Sequence, residues 1–357
     1  MVSRVRTLLS TPRVLRDVIL KALLGYLVIS CPLNAQQSSR LDFLNGNRSV
    51  LDAHNCYPYD GKWADRIDRA LSTGFPVSIE QDLAWYVDPT TGKGQVVVTH
   101  TPKTNSADPT LEHYFFDRVR PIMEKALKEN HTDQWPLVIL HFDFKDTQPA
   151  LLHAVWDLLG HYQSWMVTAK KTADPHDLAP MTHKPLMVIT EDSDAQEEVF
   201  YRQVPVGSDL RLFGSAHTYK PQGKSAEETN HLVATLPPDK LLTETPTDYR
   251  RWWNNSWYEV EEGGERQAGD WTPADAARLK ALVDHAHKSG YWIRFYTLDG
   301  FTDAEGKANG WFSSYNFGSL QAAQTRWKAA IKAGVNFIAT DQYEELGKTM
   351  HQEGAHK

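Results

Sequence analysis

Cysteine is nearly absent from this chain: Cys31 and Cys56 are the only two among its 357 residues. A disulfide-rich secreted domain and a structural zinc site built on thiolates both need more cysteines than this. We therefore expect neither, and the stability of the fold must come from a hydrophobic core. The composition, 41% hydrophobic and 23% charged, is ordinary for a globular protein, and the chain is long enough to bury such a core.

Positive charge is also in short supply. The chain has 38 lysines and arginines against 45 aspartates and glutamates, which gives a formal net charge of −7 at pH 7. Proteins that bind the phosphate backbone of nucleic acids usually carry an excess of basic residues. We therefore expect no nucleic-acid partner.

The apolar run at the amino terminus, residues 22–33, is shorter than the roughly 20 residues that a membrane-spanning helix needs. Five basic residues precede this run and Ala35 follows it, which is typical of a cleaved export signal over residues 1–35. Two alternatives remain open. The sequence VISC resembles a bacterial lipobox, in which Cys31 would be lipidated, and a single membrane anchor is the second alternative. We predict an exported protein, secreted or periplasmic.

Apolar, strand-like runs alternate with amphipathic, helix-like stretches along the rest of the chain. The predicted strands are SVLDAHN, PVSIEQDLAW, QVVVTH, PLVILHFDFKD, PLMVIT, DLRLFG, a less regular run near residues 257–260, YWIRFYTL and VNFIATD. The predicted helices are residues 63–74, 112–127, 149–170 and two late helices with N-caps at Thr272 and Ser319 and C-caps at Gly290 and Gly334.

This alternation predicts an α/β fold with a mainly parallel sheet, and about eight strand–helix units predict a closed (β/α)8 TIM barrel. We expect a single domain over residues 36–350, followed by a short tail at residues 351–357. Residues 88–94, 216–247 and 299–317 are longer than simple connections. Because active sites of barrels are built from the loops at the carboxyl ends of strands, these segments are candidate walls of a pocket.

Polar side chains occur at or near the ends of several predicted strands. They are His54, Glu80, Asp82, His100, Asp143 and Lys145. In a barrel these positions face one mouth, and residues two apart on a strand share a face. Three converging carboxylates suit Mg²⁺ or Ca²⁺, and two histidines beside such a cation are what phosphodiester cleavage needs for acid–base catalysis. The cation and a lysine would neutralise charge on the phosphoryl oxygens.

The order HN, EQD, VVVTH, DFK and finally VNFIATD resembles the PLC-like phosphodiesterase superfamily, and within it the glycerophosphodiester phosphodiesterase branch. The resemblance covers residues 50–341. It implies that His54 and His100 are the acid–base pair and that Lys145 contacts phosphate. It also implies a carboxylate triad for one divalent cation, formed by Glu80, Asp82 and Asp143. The aspartate at position 143, where glycerophosphodiesterases usually have glutamate, is similar to the sphingomyelinase D branch.

Several positions depart from the family pattern. Asn55 stands where an arginine usually follows the first histidine, and Tyr296 stands where a tryptophan is usual. We expect Asn55 to hydrogen-bond phosphate or ligate the cation, with Arg294 replacing the missing positive charge, and Tyr296 to contact substrate. Asp341, at the end of the last strand, is predicted to orient a basic residue from behind the site. These changes put the usual glycerol-headed substrate in doubt.

Each of these residues also has a simpler interpretation. Glu80 and Asp82 could be paired with Arg66 or Arg69, Lys145 could serve only to hold the strand end, and His141 is expected to be a core histidine. The segment RRWWNNSWYE, residues 250–259, could stack on a sugar, cradle a choline-like cation, or simply pack against the barrel.

The sequence therefore favours a phosphoric diester hydrolase that acts on a small glycerophosphodiester or a phospholipid head group. We expect one divalent cation, Mg²⁺ or Ca²⁺, a monomeric state and, with a lipid substrate, peripheral contact with a membrane. An alternative is an envelope protein that binds a phosphorylated glycan or lipid head group without turnover. A third choice is a barrel glycosidase that uses two of the carboxylates.

Overall fold

The computed structural model describes residues 48–59, 61–263, 269–313 and 316–354, all within one compact unit, Asp42–Lys357. The predicted export signal at residues 1–35, including Cys31, lies outside the described residues, as do residues 355–357 of the predicted tail. Among the helices that are described, none has the length and apolar character needed to cross a membrane.

Eight parallel strands close into a barrel, so the predicted (β/α)8 TIM-barrel fold is confirmed. In the order in which they pair around the barrel, these strands are β1 (Val50–Ala53), β2 (Val77–Val87), β4 (Val138–Phe144), β6 (Leu186–Thr190), β8 (Phe213–Ser215), β9 (Arg250–Ser256), β10 (Trp292–Tyr296) and β11 (Phe337–Thr340). The last strand, β11, pairs with β1 and completes the ring. Three short strands lie outside it: β3 (Gly94–Val98), β5 (Ala169–Lys170) and β7 (Asp209–Leu210).

Helices alternate with the barrel strands. The described helices are α1 (Arg66–Ser72), α2 (Asp117–Glu129), α3 (Pro149–His161), α4 (Asp194–Glu197), α5 (Ala226–Thr235), α6 (Pro238–Leu241), α7 (Pro273–Ser289), α8 (Asp303–Asn309), α9 (Leu320–Ala333) and α10 (Tyr343–Gln352). The predicted caps of α7 and α9 are confirmed. Their N-cap hydroxyls accept from the backbone, and Gly290 and Gly334 end them in left-handed conformation with φ of 90° and 87°.

Four sequence predictions need correction. The sixth barrel strand is β9, residues 250–256, whereas the predicted run near residues 257–260 begins with a 3-10 turn, Trp257–Glu259. The run DLRLFG splits into β7, which pairs with β5, and barrel strand β8. The helix predicted over residues 149–170 ends at His161. Of residues 88–94, the first six form the turn between β2 and its antiparallel neighbour β3, and Gly94 is the first residue of β3.

Inward side chains recur every second residue along each strand, so they form layers inside the barrel. The layer at the amino-terminal ends of the strands is apolar, and the next layer towards their carboxyl ends is charged. The apolar floor contains Val50, Ile139, Trp252 and Phe337. Two residues further along their strands, Asp52 and His141 are fully buried, as is Arg294 two residues after Trp292. Two residues further again come His54, Asp143 and Tyr296. The alternation therefore stacks an apolar layer, a charged layer and the candidate site.

Candidate active site

Arg294 is the centre of the charged layer beneath the site. Its Nε donates to Asp52 Oδ2, its Nη1 donates to Asn254 Oδ1 at 3.0 Å, and its Nη2 donates to Glu80 Oε1 at 3.5 Å. Burial alone would raise the pKa of Asp52, but the guanidinium beside it holds that pKa below its usual range. Arg294 was predicted to contact phosphate. In this structure its three guanidinium nitrogens bind protein oxygens, and the phosphate contact stays a prediction.

His141 joins the charged layer to a carboxylate that the sequence analysis missed. The imidazole is fully buried, with Nε2 at 2.9 Å from Glu191 Oε1 and Nδ1 at 3.7 Å from Asp52 Oδ2. Burial lowers the pKa of His141, yet the carboxylates of Asp52 and Glu191 raise it to about 10. Glu191 follows β6 directly, which is the same strand-end position that identified the other candidate residues.

Glu80, Asp82 and Asp143 meet at the mouth of the barrel. Asp82 and Asp143 are neighbours in the β2–β4 register, and Glu80 is two residues before Asp82 on the same face. Each of the three offers one carboxylate oxygen, and these oxygens lie within 4.8 Å of one another. Burial, together with the charge of Asp143, raises the pKa of Asp82 to about 6. The cluster therefore concentrates negative charge in a partly dry environment.

Lys145 is the cation that contacts two carboxylates of this cluster, whereas Arg66 and Arg69, the arginines considered from the sequence, have other partners. Lys145 Nζ donates to Asp143 Oδ2 at 2.6 Å and lies 3.1 Å from Asp82 Oδ2. Arg66 instead donates to backbone carbonyls, among them that of Asn55, and Arg69 forms its ion pair with Glu344.

His54 lies on one side of the carboxylate cluster. Its Nδ1 is 2.9 Å from Asp341 Oδ1, and its Nε2 is 3.6 Å from Glu80 Oε2. Burial lowers the pKa of His54, but the two carboxylates outweigh burial and raise it to about 9. The structure therefore places Asp341 behind a basic residue, as the sequence suggested. The ring of Tyr296 stacks against His54 with 6.3 Å between centroids.

Asn55 adopts a left-handed backbone conformation, with φ of 51°, directly after His54. Its backbone N–H donates to Glu80 Oε2 at 2.9 Å, and its side-chain Nδ2 donates to Asp341 Oδ1 at 2.9 Å. The carbonyl Oδ1 accepts from the hydroxyl of Tyr57 at 2.5 Å. Asn55 thus ties the loop after β1 to the site, and its predicted phosphate contact stays a prediction.

His100 contacts a different carboxylate of the cluster, Asp82. Its Nδ1 is 2.8 Å from Asp82 Oδ2 and 2.9 Å from the Tyr57 hydroxyl, and its side chain is 43% exposed. The ring of Phe312, in the predicted wall segment 299–317, packs 5.2 Å from the imidazole between centroids. Tyr57 was missed in the sequence because it lies in the loop after β1, outside any strand pattern.

Asp299 is a second missed carboxylate, buried behind Asp341. It accepts from Thr340 Oγ1 at 2.5 Å and from the backbone N–H of Asp341 at 2.7 Å. Burial and the neighbouring charge of Asp341 raise the pKa of Asp299 well above its usual range. This carboxyl supports the backbone that carries Asp341, and through it the position of His54.

The arrangement brings the six predicted strand-end residues together at one mouth. Each histidine has Nδ1 against a carboxylate, Asp341 for His54 and Asp82 for His100. Both imidazoles contact the all-oxygen carboxylate cluster, His54 at Glu80 and His100 at Asp82, and the donor set of this cluster is the type that Mg²⁺ and Ca²⁺ prefer. The described residues thus fit a hard divalent cation flanked by two groups that can exchange protons.

Similarity to known proteins is found among solved structures. No protein-family model matches the chain, and no curated protein matches it. Among solved structures, it is similar to a glycerophosphoryl diester phosphodiesterase from Parabacteroides distasonis, with 13% identity, a TM-score of 0.41, and coverage of 88% of this chain and 92% of that one. It is also similar to wild-type Plasmodium falciparum HPPK-DHPS with pterin and p-hydroxybenzoate, with 8% identity, a TM-score of 0.42, and coverage of 87% and 49%.

A glycerophosphoryl diester phosphodiesterase is thus among the solved structures to which this chain is similar. The finer similarity to sphingomyelinase D, based on Asp143, stays a prediction.

Proposed function

We propose that this chain is an exported, metal-dependent phosphodiesterase that hydrolyses a glycerophosphodiester or the head-group phosphodiester of a phospholipid. The observation that carries the proposal is the placement of two imidazoles, His54 and His100, against different carboxylates of one cluster. Phosphodiester cleavage needs a proton acceptor for the attacking oxygen and a proton donor for the leaving oxygen, and this site offers both.

Glu80, Asp82 and Asp143 would hold the divalent cation. Such a cation, when bound, supplies positive charge beside the non-bridging phosphoryl oxygens. Lys145 already contacts two of these carboxylates, at 2.6 and 3.1 Å, and adds a second positive charge at the same place. The ammonium therefore serves to draw the phosphate diester towards the cluster and to stabilise the charge that develops on it.

The two histidines divide the proton transfers. The attacking oxygen forms its bond to phosphorus as one imidazole takes the proton from that oxygen at Nε2. As the opposite phosphorus–oxygen bond breaks, the leaving oxygen receives a proton from the other imidazole. Asp341 and Asp82 each fix the Nδ1 side of one ring, so we assign the proton exchange to Nε2, which on His54 lies 3.6 Å from Glu80 Oε2. Attack by water gives a phosphomonoester, whereas attack by a hydroxyl of the substrate gives a cyclic phosphate.

Export is the least direct part of the proposal, because it rests on residues 1–35. The alternatives are lipidation at Cys31 and a membrane anchor. Amino-terminal sequencing and mass spectrometry of the mature protein separate them: a new amino terminus at residue 36 supports the cleaved export signal, whereas a lipid-modified residue 31 or an intact leader contradicts it.

The proposal is tested with the full chain and glycerophosphocholine, followed by phosphorus NMR, in Mg²⁺, in Ca²⁺ and in EDTA. We expect metal-dependent turnover that is lost in His54→Ala and retained in His131→Ala, since His131 is an exposed residue of a loop after α2. The spectrum also distinguishes a monoester from a cyclic phosphate. Tight cation binding without turnover on any diester would contradict the enzyme and favour the binding-protein alternative.

A further inference from the structure

A cavity of about 430 Å³ opens beside the candidate active site, between the ends of β6 and β9 and the long segment 216–247. We call it the Glu259 pocket. Its lining includes Glu191 and Tyr296, which contact His141 and His54 respectively. A substrate bound at the carboxylate cluster therefore has this pocket next to it, and the volume is in the range of small-molecule sites.

Glu259 is the unusual group in this lining. The residue is only 8% exposed, and its Oε2 has no hydrogen-bond partner among the described residues. The nearby Arg278 donates to the backbone carbonyl of Glu259, at 2.9 Å. Leaving a buried polar atom unpaired costs free energy comparable to a lost hydrogen bond. This oxygen has almost no accessible surface in the free protein, so a ligand hydroxyl would recover that free energy by pairing with the carboxyl as the side chain turns towards the cavity.

The rest of the pocket combines polar groups with aromatic rings. Asn230, Asn254, Ser256 and Thr218 contribute amides and hydroxyls. Three tyrosines also line it: Tyr219, Tyr258 and Tyr296. Flat aromatic faces bordered by amides, hydroxyls and carboxyls suit a ring whose faces are apolar and whose edges carry hydroxyl groups.

We propose that the Glu259 pocket binds an uncharged, hydroxyl-rich ring, a sugar or a cyclitol, esterified to one oxygen of the phosphodiester. This inference rests on the proposed function, because the ring would reach the reacting centre through its phosphate. It specifies the group esterified to the phosphate, which the departures from the family pattern at Asn55 and Tyr296 leave undetermined.

A cationic head group fits the same pocket less well. Two of its carboxylates already have cationic partners, since Glu191 pairs with His141 and Asp192 lies 3.0 Å from Arg250 Nη1. Lys220 lines the same cavity and would repel an ammonium group. Burial raises the pKa of Glu259 to about 8, so in the free protein its carboxyl is largely protonated near pH 7 and both donates and accepts hydrogen bonds.

The experiment compares three substrates on the full chain with saturating divalent cation: a chromogenic bis-aryl phosphate, glycerophosphocholine and glycerophosphoinositol. We expect kcat/KM for the inositol ester to exceed that for the choline ester by about tenfold, which is what one or two additional hydrogen bonds give. This comparison uses the wild-type protein alone and does not depend on any variant folding. Equal values, or a preference for choline, would overturn the inference.

Variants test whether the preference for the inositol ester arises in the Glu259 pocket. In Glu259→Leu the ratio of inositol to choline kcat/KM should fall by about fivefold to tenfold, because the carboxyl that pairs with the ring hydroxyl is gone. Glu259→Gln, which keeps a donor and an acceptor, should retain most of the ratio. Glu262→Leu is the matched control, an exposed carboxylate nearby that pairs with His231 and does not line the pocket. A ratio unchanged in Glu259→Leu would overturn the assignment of the ring to this pocket.

Failure of the proposed function is distinguishable from failure of this inference. If the bis-aryl phosphate is not hydrolysed with any cation, the phosphodiesterase proposal fails, and the pocket is tested by saturation-transfer NMR with free myo-inositol and free choline. Transfer to myo-inositol that Glu259→Leu abolishes supports the ring pocket without any catalysis. Transfer to choline alone, or to neither probe, overturns it.

Discussion

The charged layer under the active site makes a specific prediction about stability: Arg294→Met should be strongly destabilising. The guanidinium binds Asp52 and Glu80, and all three residues are at most 3% exposed. Removing one partner of a buried ion pair leaves an uncompensated charge and costs about 3–5 kcal/mol. His141, with Nδ1 at 3.7 Å from Asp52, compensates part of the loss, so we expect about 3 kcal/mol.

This loss should be measured by urea unfolding in EDTA, so that no added cation replaces the arginine. A change of 3 kcal/mol corresponds to a fall in Tm of about 6 °C for a domain of this size. The control is Lys280→Met, which breaks a surface pair with 2.6 Å between Lys280 Nζ and Asp284 Oδ2. Because both of its partners are exposed, that variant should lose less than about 1 kcal/mol.

The pH dependence of the Arg294→Met penalty follows from the pKa of Asp52. In the folded wild type the pKa of Asp52 is depressed. The ion pair therefore stabilises the fold fully at any pH above the unfolded-state pKa of Asp52. This stabilisation is lost only as the pH falls through the lower, folded-state pKa. Without the guanidinium, burial raises the pKa of Asp52, and the variant binds a proton at higher pH than the wild type does. The difference in unfolding free energy should therefore shrink between pH 7 and pH 5. A difference below 1 kcal/mol, or one that grows on acidification, would refute the reasoning.

Three further predictions concern activity on a bis-aryl phosphate. His100→Ala should lower kcat by about 10²–10⁴-fold at saturating cation, because it removes one of the two proton-transfer groups. Asp143→Asn should raise the Mg²⁺ concentration needed for half-maximal rate by about tenfold or more, measured by metal titration, because it removes one anionic ligand. Asp341→Asn should lower kcat by about 10²-fold with little change in KM, because Asp341 positions the His54 ring without contacting substrate.

Each of these predictions has a result that contradicts it. For His100→Ala it is a kcat within threefold of wild type. For Asp143→Asn it is a metal titration that superimposes on that of the wild type. For Asp341→Asn it is a rise in KM with kcat unchanged, which would mean that this residue binds substrate. The exposed variant His131→Ala serves as the common control, and we expect wild-type values for it.

The barrel itself could be predicted from the sequence because most of its strands are short apolar runs separated by helix-like stretches, and two of the late helices, α7 and α9, have clear caps. Strand β9 was missed for a physical reason. It begins with Arg250 and Arg251 and continues with two tryptophans that face opposite layers: Trp252 belongs to the barrel interior and Trp253 to the outer core. Such a strand shows no alternation of polar and apolar residues, so its pattern resembles that of a loop.

The residues of the candidate site that lie at strand ends could be predicted from the sequence. Glu80, Asp82 and Asp143 could be brought together from strand periodicity alone, because residues two apart share a face. Tyr57, Asp299 and Glu259 could not. Tyr57 lies in a loop. Asp299 lies three residues beyond the end of β10, where strand periodicity no longer determines the direction of a side chain. Glu259 lies in a 3-10 turn, and only the folded structure shows that its carboxyl is buried and that its Oε2 has no hydrogen-bond partner among the described residues.

The central claim is that Glu80, Asp82 and Asp143 hold a divalent cation at which a phosphodiester is cleaved. The most direct measurement is the rate of bis-aryl phosphate hydrolysis after EDTA treatment and again after Mg²⁺ or Ca²⁺ is added back, for the wild type and for Asp82→Asn. The account predicts a rate that disappears in EDTA, returns with the cation in the wild type, and returns weakly or not at all in the variant. Hydrolysis that is indifferent to EDTA, or no hydrolysis with any cation, would contradict it.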